Sequence, residues 1–311
     1  MLSIQSASSS LPLIVFILFG FNLIAQDFEL LKIQSAYYPS QNIEESAIEG
    51  EIGFFEWGAQ VAIPQTFTKS KSTILIHRFS YGNLSVNTGV NLPLGKEESK
   101  RYYHTIFYNF GLIQTLDRNW RLVVNLTPTL ASDFRENLSG EDLLFQANTL
   151  VVNTKNKKLK YGFGLAYTTR FGRQLLIPTG LLKWNTGKFD LDILLPHKLN
   201  IMFKTPNNTL SFGLKAGLNG GVFNNTSEVT AVSNMIDEVG YSRLIIGPAI
   251  TFRLKKAINI SLQGGMAVRR RLEFIDNNNE IFDRTPKTAP FLSVGLSFAP
   301  KHKTSEAGLN D

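Results

Sequence analysis

Cysteine is missing from all 311 residues. That excludes disulfides, thiolate metal sites and cysteine nucleophiles. It also removes the residue that would carry the lipid of a bacterial lipoprotein. Histidine is scarce: His77, His104, His197 and His302 are the only four, and none has a partner at i+2 or i+4. The spacing of a metal site or a catalytic triad is therefore absent. Charged residues make up only 18% of the chain, against roughly 25% in soluble domains. Beyond the N-terminus no apolar run reaches the ~18 residues of a membrane-spanning helix. The mean hydropathy of -0.04 agrees with that, so this is no helical membrane protein. There is no G-x-S-x-G, and Gly162-Phe163-Gly164 lacks the following helix of a phosphate loop.

The first 26 residues have no charged side chain, and residues 11–25 are almost wholly apolar. The run is short of the roughly 20 residues a spanning helix needs and fits the apolar core of a secretory signal. The small residue Ala25 before Gln26 places cleavage there. The chain divides into a cleaved signal peptide over 1–25, a body over 26–299 and a polar tail over 300–311. The formal net charge of +7 stays with the mature chain.

The body alternates with a period of two, the signature of strands. Ile258, Ile260, Leu262, Met266 and Val268 interleave with Asn259, Ser261, Gln263, Gly265, Ala267, Arg269 and Arg271. Leu210, Phe212, Leu214, Ala216 and Leu218 interleave with Ser211, Gly213, Lys215, Gly217 and Asn219. The polar face is rich in Gly, Ser, Thr and Asn and poor in Lys and Glu, unlike the solvent face of a soluble sandwich. Several strands span about 10 to 16 residues, longer than usual and sufficient for a tilted membrane strand. Aromatics gather near strand ends at Tyr37, Tyr38, Tyr102, Tyr103, Trp120, Phe171, Trp184 and Phe298, where an interfacial girdle belongs.

These features predict an all-β fold: a transmembrane antiparallel up-and-down β-barrel of about fourteen strands, with twelve as the alternative count. Short turns at 69–71, 117–119, 155–157, 185–187, 206–208 and 255–257 alternate with longer loops at 86–100, 134–142, 223–239 and 275–287. The uncertain count comes from 172–206, where two connections on the long-loop side are also short. Pro248 falls inside a predicted strand and reads as a bulge or an early strand start. The last strand carries Leu292, Val294, Leu296 and Phe298, the pattern of an insertion signal read by the barrel assembly machinery.

Ile24-Ala25-Gln26, Tyr37-Tyr38-Pro39-Ser40, the stretch Thr127 to Phe134 and the stretch Asp142 to Phe145 together resemble an outer-membrane β-barrel family of Bacteroidota, domain of unknown function 6268. The resemblance covers most of the mature chain. It implies the same fold and an integral outer-membrane location, and it brings no catalytic residues.

Alternation places Arg121, Lys160, Lys215, Arg253, Arg269 and Arg271 on the lumen face, with Glu56, Asp190 and Asp192 as opposite charges. Two readings follow: a basic passage or pocket for small anionic solutes, or charges that pair internally and fill the lumen. The second is the favoured one. The carboxylates between Asp133 and Asp142 lack the ligand spacing of a calcium loop. No metal or cofactor is expected, and export argues against nucleic acid despite a pI near 9.4. Lysines in the turns suit anionic headgroups, so outer-membrane lipid and lipopolysaccharide are expected partners. The expected activity is non-catalytic, a narrow channel or binding barrel for small solutes. The alternatives are a structural or surface-interaction barrel with a plugged lumen, and a membrane-embedded hydrolase.

Overall fold

The computed structural model describes residues 29–43, 50–67, 70–92, 95–225, 236–254, 257–276 and 281–300. The proposed signal peptide and the tail beyond residue 300 lie outside the described residues. Among the described residues the chain forms fifteen strands: β1 (Leu31–Asn42), β2 (Gly50–Phe67), β3 (Ser70–Leu92), β4 (Gly95–Thr115), β5 (Trp120–Ser132), β6 (Leu143–Thr154), β7 (Leu159–Thr168), β8 (Leu175–Asn185), β9 (Phe189–Leu195), β10 (Lys198–Lys204), β11 (Leu210–Asn224), β12 (Ile236–Leu254), β13 (Ile258–Asp276), β14 (Ile281–Asp283) and β15 (Ala289–Phe298). Consecutive strands pair antiparallel from β1 to β13, and β15 closes the ring between β13 and β1. The three-residue β14 only folds back on the end of β13. The result is a closed antiparallel barrel of fourteen staves, so 172–206 does hold three strands and the count of twelve falls away.

Closure leaves no sheet edge along the main ladder, which a bilayer would otherwise leave unsatisfied. The outer face is apolar: Phe55, Trp57, Phe79, Ile106, Phe163, Leu176, Phe212, Ile250 and Leu292 all stand exposed. Alternate residues face the lumen. Both described chain ends meet at the turn end, where the Leu30 amide donates to the Phe298 carbonyl at 2.8 Å.

The wall is uneven in height. β3 and β4 run 23 and 21 residues, whereas β9 and β10 run seven each. Residues 86–100, expected as a long loop, instead continue the β3–β4 ladder to Leu92↔Gly95. Above the short strands the ring contracts. The end of β11 meets the end of β5 through a parallel bridge, Asn224↔Ser132, and the Asp133 amide donates to the Asn224 carbonyl at 3.2 Å. At this loop end only β5, β4, β3, β2, β1, β15, β13, β12 and β11 form the circuit. The barrel is therefore a funnel, wide at the turn end and narrow at the loop end.

The prolines sit where the ladder lapses. Pro128 falls in a gap of the β4–β5 register between Phe107↔Thr129 and Phe110↔Leu126. Pro248 falls in a gap of the β12–β13 register between Ile246↔Met266 and Ala249↔Gln263. There Gly247 and Gly265 let the two backbones close up; a Cβ on either would collide with the facing carbonyl oxygen.

Candidate functional site

The lumen divides into a packed loop-end section and a polar turn-end section. In the narrow section the inward residues of many strands meet in one apolar cluster: Tyr38, Ile52, Phe54, Leu84, Tyr103, Phe223, Tyr241, Leu272 and Phe291 among them. The contacts cross the lumen. Phe54 of β2 stacks on Tyr241 of β12 with centroids 4.5 Å apart, and Tyr103 of β4 packs on Phe223 of β11 at 5.3 Å. These strands are not neighbours in the ring, so their side chains fill its cross-section. Tyr38 and Tyr103 thus belong to this core, while Tyr37, Tyr102, Trp184 and Phe298 are exposed on the outer face.

Two arginines are buried among the residues of the plug, Arg243 at its inner margin. Arg243 pairs with Glu56 across the barrel, and its Nε donates to the Tyr38 hydroxyl at 2.8 Å. Its guanidinium lies 4.7 Å from the Tyr38 ring and 5.2 Å from the Tyr241 ring. Arg270, only 1% exposed, donates to the carbonyls of Lys287 and Ile52 and lies 4.8 Å from the Phe54 ring. Neither arginine was singled out from the sequence.

Arg270 replaces two residues that were. Strict alternation along β13 put Arg269 and Arg271 in the lumen. The structure turns both away: Arg269 is exposed, and Arg271 pairs with Glu273 at 2.9 Å. The cause is a bulge at Arg269, whose φ of 47° coincides with the register shift between Ser242 and Leu244. One extra residue reverses every later side chain.

A strap seals the shoulder where β5 meets β11. Ser139 caps the short 3-10 turn Gly140–Asp142, and Asp142 accepts from the Ser139 amide at 2.6 Å. The same carboxylate accepts from the Asn224 side chain at 2.9 Å. Burial alone would raise the Asp142 pKa, but hydrogen bonds from Ser132, Ser139 and Asn224 outweigh it and hold it below the usual carboxylate value. Tyr103 reaches Asn225 at 3.2 Å beside it. The acidic loop considered as a calcium candidate thus spends Asp142 on this strap; among the described residues no group of metal ligands forms.

Beneath the plug lies a polar cavity of about 670 Å³, lined by Gln34, Glu56, Arg78, Asn125, Thr127 and Asn148 among others. A smaller cavity of about 180 Å³ adjoins it at the turn end, and Lys32 lines both. Lys215 and Arg253 line this second cavity. Asp190 and Asp192 lie on the inner face of β9, where Lys204 reaches Asp190 at 3.2 Å and Lys198 reaches Asp192 at 2.6 Å. Lys183 lies 3.8 Å from Asp192. Arg121 and Lys160 share the inward register of β5 and β7, opposite Val152 and Thr154 of β6. Sequence reasoning missed Arg78, Lys183, Lys198 and Lys204, though each has inward parity in its own strand.

His77 and His104 lie on the outward face of neighbouring strands, each bonded to a tyrosine at 2.7 Å: Tyr108 and Tyr81 respectively. They do not meet. Leu292, Val294, Leu296 and Phe298 form an exposed outward row on β15.

A closed barrel with an apolar outside, a polar inside and short turns at one end has the design of an outer-membrane β-barrel. The chain belongs to the family described as Domain of unknown function (DUF6268), which it matches over residues 32–299. No curated protein matches it. Among solved structures it is similar to a NanC porin (8% identity, TM-score 0.37, covering 86% of this chain and 98% of that one). It is also similar to the transport unit of the autotransporter AIDA-I from Escherichia coli (10%, 0.37, 92% and 94%). A third is the translocator domain of the autotransporter NalP from Neisseria meningitidis (12%, 0.31, 90% and 91%).

Proposed function

We propose that the protein is a non-catalytic, integral barrel of the bacterial outer membrane whose lumen is a binding chamber for small solutes. In this reading the turn end faces the periplasm, and the Bacteroidota origin implied by the sequence resemblance is retained. The outward row on β15 serves the barrel assembly machinery, and the exposed apolar belt meets lipid and lipopolysaccharide. The observation that carries the proposal is the contrast along the lumen. The narrow end is filled by aromatic and aliphatic side chains from non-adjacent strands, while the wide end keeps polar space. That favours a chamber entered from the periplasm over an open pore.

Planar-bilayer recording tests it. The purified full-length barrel is expected to give no steady ion conductance, and stable open pores would overturn the reading. The same plug supports a second reading, a barrel that acts through its loop end on a surface partner. Solute binding in the lumen separates the two.

A further inference from the structure

We propose that the larger cavity takes a neutral disaccharide, seated on the wall formed by β4, β5 and β6. The proposal rests on the chamber reading above and deepens it by naming the solute class. Asn125 of β5 and Asn148 of β6 are directly paired across the strands. Both are half-buried and line the cavity. Asn125 Nδ2 donates to Asn148 Oδ1 at 2.9 Å. That bond holds the two amides in place. Among the described residues, Asn125 Oδ1 and Asn148 Nδ2 have no hydrogen-bond partner. Turning both amides over exchanges their roles and still leaves one acceptor beside one donor. Neighbouring hydroxyls of a sugar each donate and accept, so a vicinal diol is the complement of this pair. Gly111 of β4 leaves the acceptor approachable, since a Cβ there would lie 3.0 Å from Asn125 Oδ1.

The wall continues toward the plug. Thr127 and Gln146 form the next inward pair, and Gln146 Nε2 donates to the Thr129 hydroxyl at 3.4 Å. Phe107 of β4 is paired with Thr129. It lines the same cavity, half-buried, and makes no ring contact among the described residues. A sugar ring carries C–H groups on its faces and hydroxyls on its rim. An aromatic ring with an open face covers the first, and amides bond the second. Four residues of β5 separate Asn125 from Thr129, about 13 Å at ~3.3 Å per residue, which gives room for two linked rings. Charge favours a neutral ligand. Of the cations lining the cavity, Arg243 pairs with Glu56 and Lys32 with Glu29. Arg78 and Arg170 donate to the amide oxygens of Asn109 and Asn219 at 3.4 and 3.2 Å. Among the described residues no charged group bonds to Asn125 or Asn148. Ligand pockets run from roughly 300 to 1,000 Å³, so about 670 Å³ suits a disaccharide and is too small for a long glycan.

The test uses the full chain folded in detergent with Thr127→Cys as its sole thiol, labelled with uncharged N-ethylmaleimide. Maltose, glucose and gluconate are added in separate arms, with dextran at matched viscosity as reference. Maltose is expected to slow labelling saturably, by about fivefold or more, and glucose and gluconate less. Protection by maltose is expected to vanish with Asn125→Leu and Asn148→Leu together, which removes both partners of the bond and leaves neither unsatisfied. It should weaken with Gly111→Ala, which crowds the acceptor, and with Phe107→Ala, which removes the ring. It should persist with Lys157→Gln, an exposed turn residue. Heat-modifiable migration on a gel verifies folding of each variant, and the two single substitutions decide the matter if the double one does not fold. Equal labelling rates with maltose and dextran, or protection that survives the asparagine and glycine substitutions, overturn the seat and leave the chamber reading standing. Protection by gluconate alone, or by glucose as strongly as by maltose, overturns the neutral two-ring ligand. A thiol that labels only after heat unfolding overturns both the seat and the chamber.

Discussion

Arg243 and Arg253 lie on the same strand and the same inward face, ten residues apart, yet their surroundings are opposite. Arg243 is buried at the margin of the plug, with Glu56 as its counter-charge, Tyr38 as its acceptor and two aromatic rings around it. Arg253 lines a polar cavity, where its Nε donates to the side-chain amide oxygen of Asn259. The difference follows the width of the lumen. Where the ring narrows to nine strands, the packed plug leaves little room for solvent, and the buried Arg243 charge is matched within the chain. Where the ring is fourteen strands wide, polar space remains beside the inward charges.

The largest effect is expected from breaking the matched pair. Glu56→Ala strands the Arg243 cation in the plug and is expected to cost about 3–5 kcal/mol, read as a lower midpoint of urea unfolding in detergent. Arg253→Ala should leave that midpoint nearly unchanged. A similar drop for both would erase the contrast. Next comes the packing of the plug. Leu272 is fully buried, and Leu272→Ala is expected to cost about 2–5 kcal/mol and to admit ions in bilayer recording. A tight, non-conducting variant would mean that the plug is not the seal.

Smaller effects belong to the strap. Asp142→Asn weakens the acceptor shared by Ser139 and Asn224, at about 1 kcal/mol. Because the Asp142 pKa is lowered in the folded barrel, the stability it adds is present above the unfolded carboxylate value. That stability is lost as pH falls through the folded value. Loop-end proteolysis should therefore rise in acid for the wild type and be less pH-sensitive in Asp142→Asn. At the bottom of the scale, Arg269→Ala is expected to change stability by less than about 0.5 kcal/mol, since its side chain is exposed outside the lumen.

Much of the fold is legible in the sequence because alternation is a direct physical imprint of a two-faced strand. The predicted β5, β6 and β13 segments match the observed strands to within a few residues, and the apolar parity read for β13 before its bulge faces outward. Two features escape it for physical reasons. The bulge at Arg269 is set by one positive φ at a residue that is not glycine, so nothing in the pattern marks where the parity of β13 reverses. The narrowing also escapes. It depends on β5 reaching β11 over four intervening hairpin-linked strands and β10, a contact between residues 92 positions apart in the pair Ser132 and Asn224. A trace of the plug was available: Ile52 and Phe54 share inward parity with Glu56, so the lumen face of β2 is apolar at its loop end.

The central claim is that the lumen is closed at the loop end and reached from the turn end. Thr127 lines the larger cavity, and Thr127→Cys gives the chain a single reporter thiol there. In sealed vesicles of known barrel orientation, a membrane-impermeant maleimide is predicted to label it from the turn side and to fail from the loop side. Labelling from the loop side at a comparable rate would contradict the account.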